Sequence, residues 1–268
     1  MSSMFDLTGR VSLVSGSASG MGKAIAMAVA EAGSDVVLAD INEEGAQATA
    51  QEIEALGRKA LPVVCDISSP EAIRSMFAQI DETFGHIDFV ANIAGEAVRK
   101  KPEVIELDEV EWTWRNIVYG RFCICQEAGR RMLEQGRGSI INLGSLASIT
   151  ALGRGHIAYS MAMGAVVQMT RELSTEWSGR GVRVNSVLPA QVLNPGLQQR
   201  IDADHRIKER FLSGIPSGRF GSSDDIKGLA VFLASDASSW ITGTLIPMDG
   251  GNLAMNAGGS VGTEVFAE

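Results

Sequence analysis

Between residues 10 and 249, short and almost continuously apolar runs alternate with longer amphipathic segments, and that alternation leaves few folds open. The runs are Val11–Ser15, Asp35–Asp40, Ala60–Asp66, Ile87–Asn92, Ser139–Leu143, Val182–Leu188 and Leu245–Asp249. Runs of this length without polar alternation suit strands covered on both faces, the condition of a parallel sheet. Gly22–Gly33, Glu43–Gly57 and Pro70–Gly85 carry helical periodicity, and each closes on glycine, which tolerates the left-handed turn that ends a helix. The expectation is a single doubly wound α/β domain over 1–268. Residues 194–220 form a charge-rich insertion that reads as a substrate lid, and 252–268 read as a C-terminal tail or subunit arm.

Composition removes several function classes. Asp and Glu number 32 against 23 Lys and Arg, a net charge of −9. Nucleic acid requires a surplus of phosphate-neutralising cations, so it is not an expected partner. The 45% apolar content supplies a core and excludes disorder. No apolar run approaches the ~18 residues that span a bilayer, and residues 1–8 lack a basic-then-apolar leader. The chain therefore reads as cytoplasmic, with no membrane partner. Cys65, Cys123 and Cys125 are odd in number and fit neither a disulfide framework nor a Cys-x-x-Cys zinc site. They read as buried thiols, and no metal is expected.

The first run feeds Ser15-Gly16-Ser17-Ala18-Ser19-Gly20-Met21-Gly22, which opens a helix. Glycines there permit a tight turn and a close approach of backbone N–H groups to a pyrophosphate, with the helix dipole adding to the attraction. A glycine-rich turn alone is a weak signal. Here a strand precedes it, a helix follows it, and Asp40 stands 18 residues past Gly22 at the end of the second run. A carboxylate at that place accepts both hydroxyls of an adenosine ribose and repels a 2′-phosphate. Neither Ile41 nor Asn42 brings a guanidinium to hold such a phosphate, so the expected cofactor is NAD rather than NADP.

Further motifs follow in order: Asp66 after the third run, Asn92-Ile93-Ala94-Gly95, Ser145, Tyr159, Asn185-x-x-x-Pro189 and a closing Met248-Asp249-Gly250-Gly251. With the glycine turn, they make the chain resemble the classical short-chain dehydrogenase/reductase family over nearly its whole length. The resemblance implies a Rossmann-type sheet of seven parallel strands and a homotetramer. It also implies cofactor contacts from Gly16, Ser19, Gly20, Met21 and Gly22 at the pyrophosphate, and from Asp40 and Ile41 at the adenosine ribose. Asp66 and Ile67 would hold the adenine, Asn92, Ala94 and Gly95 the adjoining ribose region, and Pro189, Ala190 and Val192 the nicotinamide. Moving a hydride to or from a carbon that bears oxygen needs a proton acceptor and a group that holds the oxygen. Tyr159 fits the first role, and Ser145, 14 residues earlier, fits the second.

Two positions depart from the family pattern. The signature Tyr-x-x-x-Lys is here Tyr159-Ser-Met-Ala-Met163. In the family that lysine holds the nicotinamide ribose and favours the tyrosine phenolate. A cation about 5 Å away at an effective dielectric near 20 is worth roughly 3 kcal/mol. Three readings stay open: a lysine deliberately exchanged for Met163, another cation such as His156 or Arg154 in its place, or a chain that binds NAD without turnover. If the place is simply empty, Met163→Lys should raise turnover near neutral pH by about a hundredfold. The second departure concerns the helix asparagine, usually three residues before Gly-x-Phe. Counting back from Gly120 lands on Ile117, with Asn116 one place further, about 100° of helix away. A bulge in that helix would restore the alignment.

Arg154 and His156 precede Tyr159 where the family's substrate pocket lies, and suit a carboxylate or a polyhydroxy compound. The expected activity is NAD-dependent interconversion of a secondary alcohol and a ketone on such a small molecule. The alternative is an inactive NAD-binding regulatory or scaffold protein.

Overall fold

The structure, a computed structural model, describes residues 4–255. Seven parallel strands form one sheet in the order β3-β2-β1-β4-β5-β6-β7. They are β1 (Val11–Ser15), β2 (Asp35–Asp40), β3 (Ala60–Val64), β4 (Phe89–Asn92), β5 (Gly138–Leu143), β6 (Val182–Pro189) and β7 (Leu245–Met248). The helices are α1 (Gly20–Glu31), α2 (Glu43–Ala55), α3 (Pro70–Thr83), α4 (Leu107–Trp114), α5 (Gly120–Gln135), α6 (Ile157–Trp177), α7 (Pro195–Ala203), α8 (Arg206–Leu212) and α9 (Lys227–Ala234).

The pleat divides the core into two layers. Val11 and Leu13 of β1 point to one face, where they meet Ile73, Phe77 and Ile80 of α3 and Ile124 and Ala128 of α5. Val14 points to the other, where Ile25 and Val29 of α1, Ile53 of α2 and Ala230 and Leu233 of α9 pack. Strand order reverses between β1 and β4, and in such sheets the crevice outside the carboxyl ends at that point is where ligands bind.

The apolar runs mark every strand, but covering on both faces holds only in the middle. The edge strands β3 and β7 are half-exposed, and Pro62, with no N–H to give, is tolerated in β3 because that strand has a neighbour on one side alone. Gly33, Gly57 and Gly85 fall just past α1, α2 and α3 with φ of +108°, +77° and +76°. The expected lid segment folds into α7 and α8. Of the expected tail, residues 256–268 lie outside the described residues, while 252–255 continue the turn after β7.

Candidate active site

One cleft of about 1060 Å³ opens at the carboxyl ends of the strands. Ser19, Gly20 and Met21, Gly95, Ser145, Arg154, His156, Tyr159, and Pro189, Ala190 and Val192 all line it, so residues spread across the chain meet in one place.

Its cofactor wall is made chiefly of backbone. A Cβ on Gly22 would lie 1.9 Å from the carbonyl oxygen of Gly16, so only glycine lets α1 begin so close to the turn. Asn42, Ser69 and Asn194 cap α2, α3 and α7 through their side chains, but Ser19 gives α1 no such bond. The first-turn N–H groups of α1 thus keep their capacity for an anion at the cleft. Asp40 ties the turn to β2: its carboxylate accepts from the N–H groups of Ala18 and Asn42, each at 2.9 Å. Ile41 is exposed beside it, and Asp66, also exposed, accepts from the Ser68 N–H at 2.8 Å while Ile67 is buried. The Asn92 side chain faces inward, against the expected place at the ribose. It donates to Asn142 Oδ1 at 2.9 Å and to Cys125 Sγ at 3.3 Å, which ties β4 to β5 and α5.

The other wall carries side chains. Ser145 follows β5; its Oγ accepts from the Ala147 N–H at 3.2 Å, which leaves the hydroxyl proton available to an oxygen in the cleft. Tyr159 stands in the first turn of α6 and packs against the buried cluster of Ile117, Ala147, Ala162, Met163 and Val166. The loop before it is tightly bent. Gly153, Arg154 and Gly155 have φ of +63°, +59° and +75°, and among the described residues Arg154 is the only non-glycine with a positive φ. An L-residue held there is a strained choice of the kind found at functional sites. It sends the Arg154 guanidinium over the Phe211 ring of α8, 4.8 Å from the centroid.

Charge in the cleft opposes that of the whole molecule. Arg99, Arg154 and Arg200 line it, with Glu96 as the opposing acid. Burial, then the proximity of Arg200, Arg99 and Arg210, pulls the Arg154 pKa down. Burial also lowers His156, whose Nδ1 lies 2.8 Å from the Gly153 carbonyl oxygen. A lowered pKa makes this imidazole neutral near pH 7, so His156 is not the missing cation, although its ring sits 6.0 Å from that of Tyr159. Arg154 is engaged with Phe211 and the Leu152 carbonyl.

The helix asparagine is resolved by a π-helical turn, Arg115–Tyr119, between α4 and α5. It is a bulge of the kind that would restore the one-residue offset. The amide of Asn116 nevertheless donates to the Trp112 carbonyl at 3.0 Å rather than pointing at Tyr159, which corrects the expected role. Met163 is 4% exposed and packs against Ile117, Ala162 and Val166, a core residue rather than a cleft one. The three thiols are inert as expected: burial pushes Cys65 up to about 11 and Cys125 up to about 12, and raises Cys123.

Sequence reading missed Arg121. This side chain, on α5, is 1% exposed. Its guanidinium donates to the carbonyls of Ile93 (3.2 Å), Ala94 (3.0 Å) and Leu143, and one nitrogen lies 4.0 Å from Met163 Sδ. The signal was periodic. Ile117, Arg121, Ile124 and Ala128 share one helical stripe, and a charge at a position the 3.6-residue period assigns to the core needs a reason.

A family model described as enoyl-(acyl carrier protein) reductase, of the short-chain dehydrogenase type, matches residues 16–252. The chain belongs to the short-chain dehydrogenase/reductase family. It is 38% identical to a D-threitol dehydrogenase of Mycolicibacterium smegmatis, over 92% of this chain and 94% of that one. A 2-dehydro-3-deoxy-D-gluconate 5-dehydrogenase of Bacillus subtilis is 36% identical over 93% of this chain and 97% of its own. Among solved structures, a gluconate 5-dehydrogenase of Burkholderia cenocepacia in complex with NADP and tartrate superposes with a TM-score of 0.88 at 30% identity, covering 94% and 98% of the two chains. As a member of this family the protein is an oxidoreductase of Rossmann-type fold. Among the described residues no helix is long and apolar enough to cross a membrane.

Proposed function

We propose that this protein is an NAD-dependent dehydrogenase that interconverts a secondary alcohol and a ketone on a polyhydroxy carboxylate. The observation that carries the reading is the meeting of Ser145 and Tyr159 with Arg99, Arg154 and Arg200 in one cleft, in a chain whose net charge is −9. Such local reversal of charge concentrates an anionic substrate. A relative named for a gluconate-type sugar acid agrees with the carboxylate, and one named for threitol, a neutral polyol, agrees with the polyhydroxy part alone.

The cofactor wall fits a dinucleotide: an uncapped α1 N-terminus above a glycine turn for the pyrophosphate, and Asp40 for the ribose hydroxyls. Gly16, Gly20 and Gly22 would hold the pyrophosphate, Asp40 and Ile41 the adenosine ribose, Asp66 and Ile67 the adenine, Gly95 the adjoining ribose region, and Pro189, Ala190 and Val192 the nicotinamide. When bound, NAD supplies the hydride acceptor. The side chains manage the oxygen and its proton. Ser145 donates to the substrate oxygen and fixes its distance from Tyr159, and the Tyr159 phenolate removes the hydroxyl proton as the carbon loses hydride. In the reverse direction the phenol returns that proton. Arg154 and Arg200 hold the carboxylate end, and α7 and α8 act as a lid that excludes water once it is seated.

The test follows reduced-cofactor absorbance with NAD and NADP across neutral polyols and sugar acids. Turnover preferring sugar acids and NAD supports the proposal. Turnover confined to apolar ketones would sink the substrate class, and dinucleotide binding without turnover on any alcohol would favour the scaffold reading instead. A homotetramer is the expected assembly, with the half-exposed edge strand β7 and the almost fully exposed Trp240 as interface material. Light scattering that shows a stable monomer at micromolar concentration would defeat that expectation.

A further inference from the structure

We propose that Arg121 is the cation of this active site: a positioning residue on α5 that does, from behind Tyr159, what the family's lysine does from α6. The proposal rests on the reading of Tyr159 as the acid/base group and adds the source of its charge partner.

Geometry places the guanidinium where the lysine is missing. One nitrogen lies 4.0 Å from Met163 Sδ, and Met163 belongs to the buried cluster against which Tyr159 packs. Arg121 and position 163 thus compete for the same small volume, and a chain with arginine at 121 leaves no room there for a second cation. On this reading Met163 is native and coupled to Arg121, and is not a stray loss of charge.

The charge also lacks an acid. Every hydrogen-bond partner of Arg121 among the described residues is a carbonyl or the Met163 sulfur, and no carboxylate lies within salt-bridge distance. A buried guanidinium without a counter-ion is costly to keep unless an anion forms beside it. Burial lowers Arg121 to about 10, the proximity of Tyr159 acts the other way, and the group stays protonated at neutral pH. The other ionisable groups around Tyr159 do not replace it. His156 is neutral near pH 7, the Cys125 thiol is held protonated by burial, and Glu96, Arg99, Arg154 and Arg200 face the cleft rather than the buried side.

Its carbonyl partners give Arg121 a second effect. Ile93 and Ala94 follow β4 in the cofactor motif, and Leu143 ends β5 two residues before Ser145. One guanidinium therefore ties the segment after β4 to the end of β5 ahead of the Ser145 loop.

The chain holds two tyrosines, Tyr119 and Tyr159, which makes the test direct. With Tyr119→Phe in the full chain, phenolate difference absorbance reads Tyr159 alone, without substrate or cofactor. Arg121→Met should shift the phenolate band to higher pH, and adding Met163→Lys should bring it back. Turnover should fall about tenfold or more near neutral pH in Arg121→Met, climb toward alkaline pH, and return in the double variant. If Arg121→Met does not fold, Arg121→Lys and the double variant decide, since both keep a cation and should titrate close to the parent. An unchanged band in a folded Arg121→Met protein, or a charge-keeping variant that titrates far from the parent, overturns the proposal. A shifted band in a protein with no turnover on any alcohol would uphold Arg121 and sink the dehydrogenase reading.

Discussion

The two walls of the cleft work with different material. On the proposed cofactor side, backbone N–H groups and the space left by absent side chains would do the binding, so the requirement is glycine at fixed spacings. Gly22 shows how strict that is, with 1.9 Å between its would-be Cβ and the Gly16 carbonyl oxygen. On the substrate side the requirement is charge at a point in space. Any element that reaches the point can supply it: α5 brings an Arg121 nitrogen to 4.0 Å from Met163 Sδ, and we propose that it stands there for the lysine α6 would send. A backbone requirement binds to sequence positions, whereas an electrostatic one binds to a volume.

The hardest break of this comparison is Tyr159→Phe, since the phenol has no substitute on either wall. Removing a general base costs about a hundredfold to ten-thousandfold in turnover. NAD binding, which depends on the other wall, should stay within a few-fold by fluorescence titration. A Phe variant that keeps parental turnover would remove Tyr159 from the chemistry.

The same contrast explains what the sequence made legible. Strand positions followed from continuous apolar runs, and Gly33, Gly57 and Gly85 marked helix ends because left-handed φ there has few other occupants. The π turn at Arg115–Tyr119 left a trace as a one-residue offset between Asn116 and Gly120, which a bulge in that helix would absorb. The fate of the Asn116 amide was not, because a rotamer choice toward the Trp112 carbonyl leaves no trace in spacing. Arg121 stayed hidden for a different reason. Nothing local ties residue 121 to residues 93, 94 and 143, and only the sheet order brings them together. The cleft arginines Arg99 and Arg200 were equally silent, as charges on loops and short helices are normally solvated.

Met163→Lys is the next largest effect, and the role proposed for Arg121 reverses the expectation drawn from the family motif. An empty site would gain about a hundredfold in turnover. With Arg121 already 4.0 Å from the residue 163 side chain, a second ammonium would meet a like charge, at about 4 kcal/mol for an effective dielectric near 20. The expected outcome is lower thermal stability and turnover no higher than the parent's. A gain approaching a hundredfold, with stability unchanged, would show that Arg121 does not act on this volume.

A smaller effect separates substrate binding from chemistry. Arg200→Ala removes one of three cleft guanidiniums, and a lost charge-assisted hydrogen bond is worth about 1.5–3 kcal/mol. KM for a sugar acid should rise roughly tenfold or more, with kcat and the KM for a neutral polyol little changed. Equal effects on acid and polyol would mean that Arg200 supports the fold of α7 rather than the substrate.

The smallest effect falls on Asp40, whose observed role and proposed role one substitution can split. Its carboxylate accepts from the Ala18 and Asn42 N–H groups, which anchors the glycine turn, and the proposed function gives it the adenosine ribose as well. In Asp40→Ser the hydroxyl can satisfy only one of the two N–H groups, so stability should fall by about 1 kcal/mol in a denaturant titration. That loss should be the same whichever dinucleotide is present. Cofactor choice is a separate reading: removing the carboxylate ends its repulsion of a 2′-phosphate but adds no guanidinium to bind one. The preference for NAD over NADP, as a ratio of kcat/KM, should therefore relax by about tenfold, or ~1.4 kcal/mol, and should not invert. A parent protein that already prefers NADP would remove Asp40 from the selection of cofactor. A stability loss without any change in the ratio would leave it only the anchoring role.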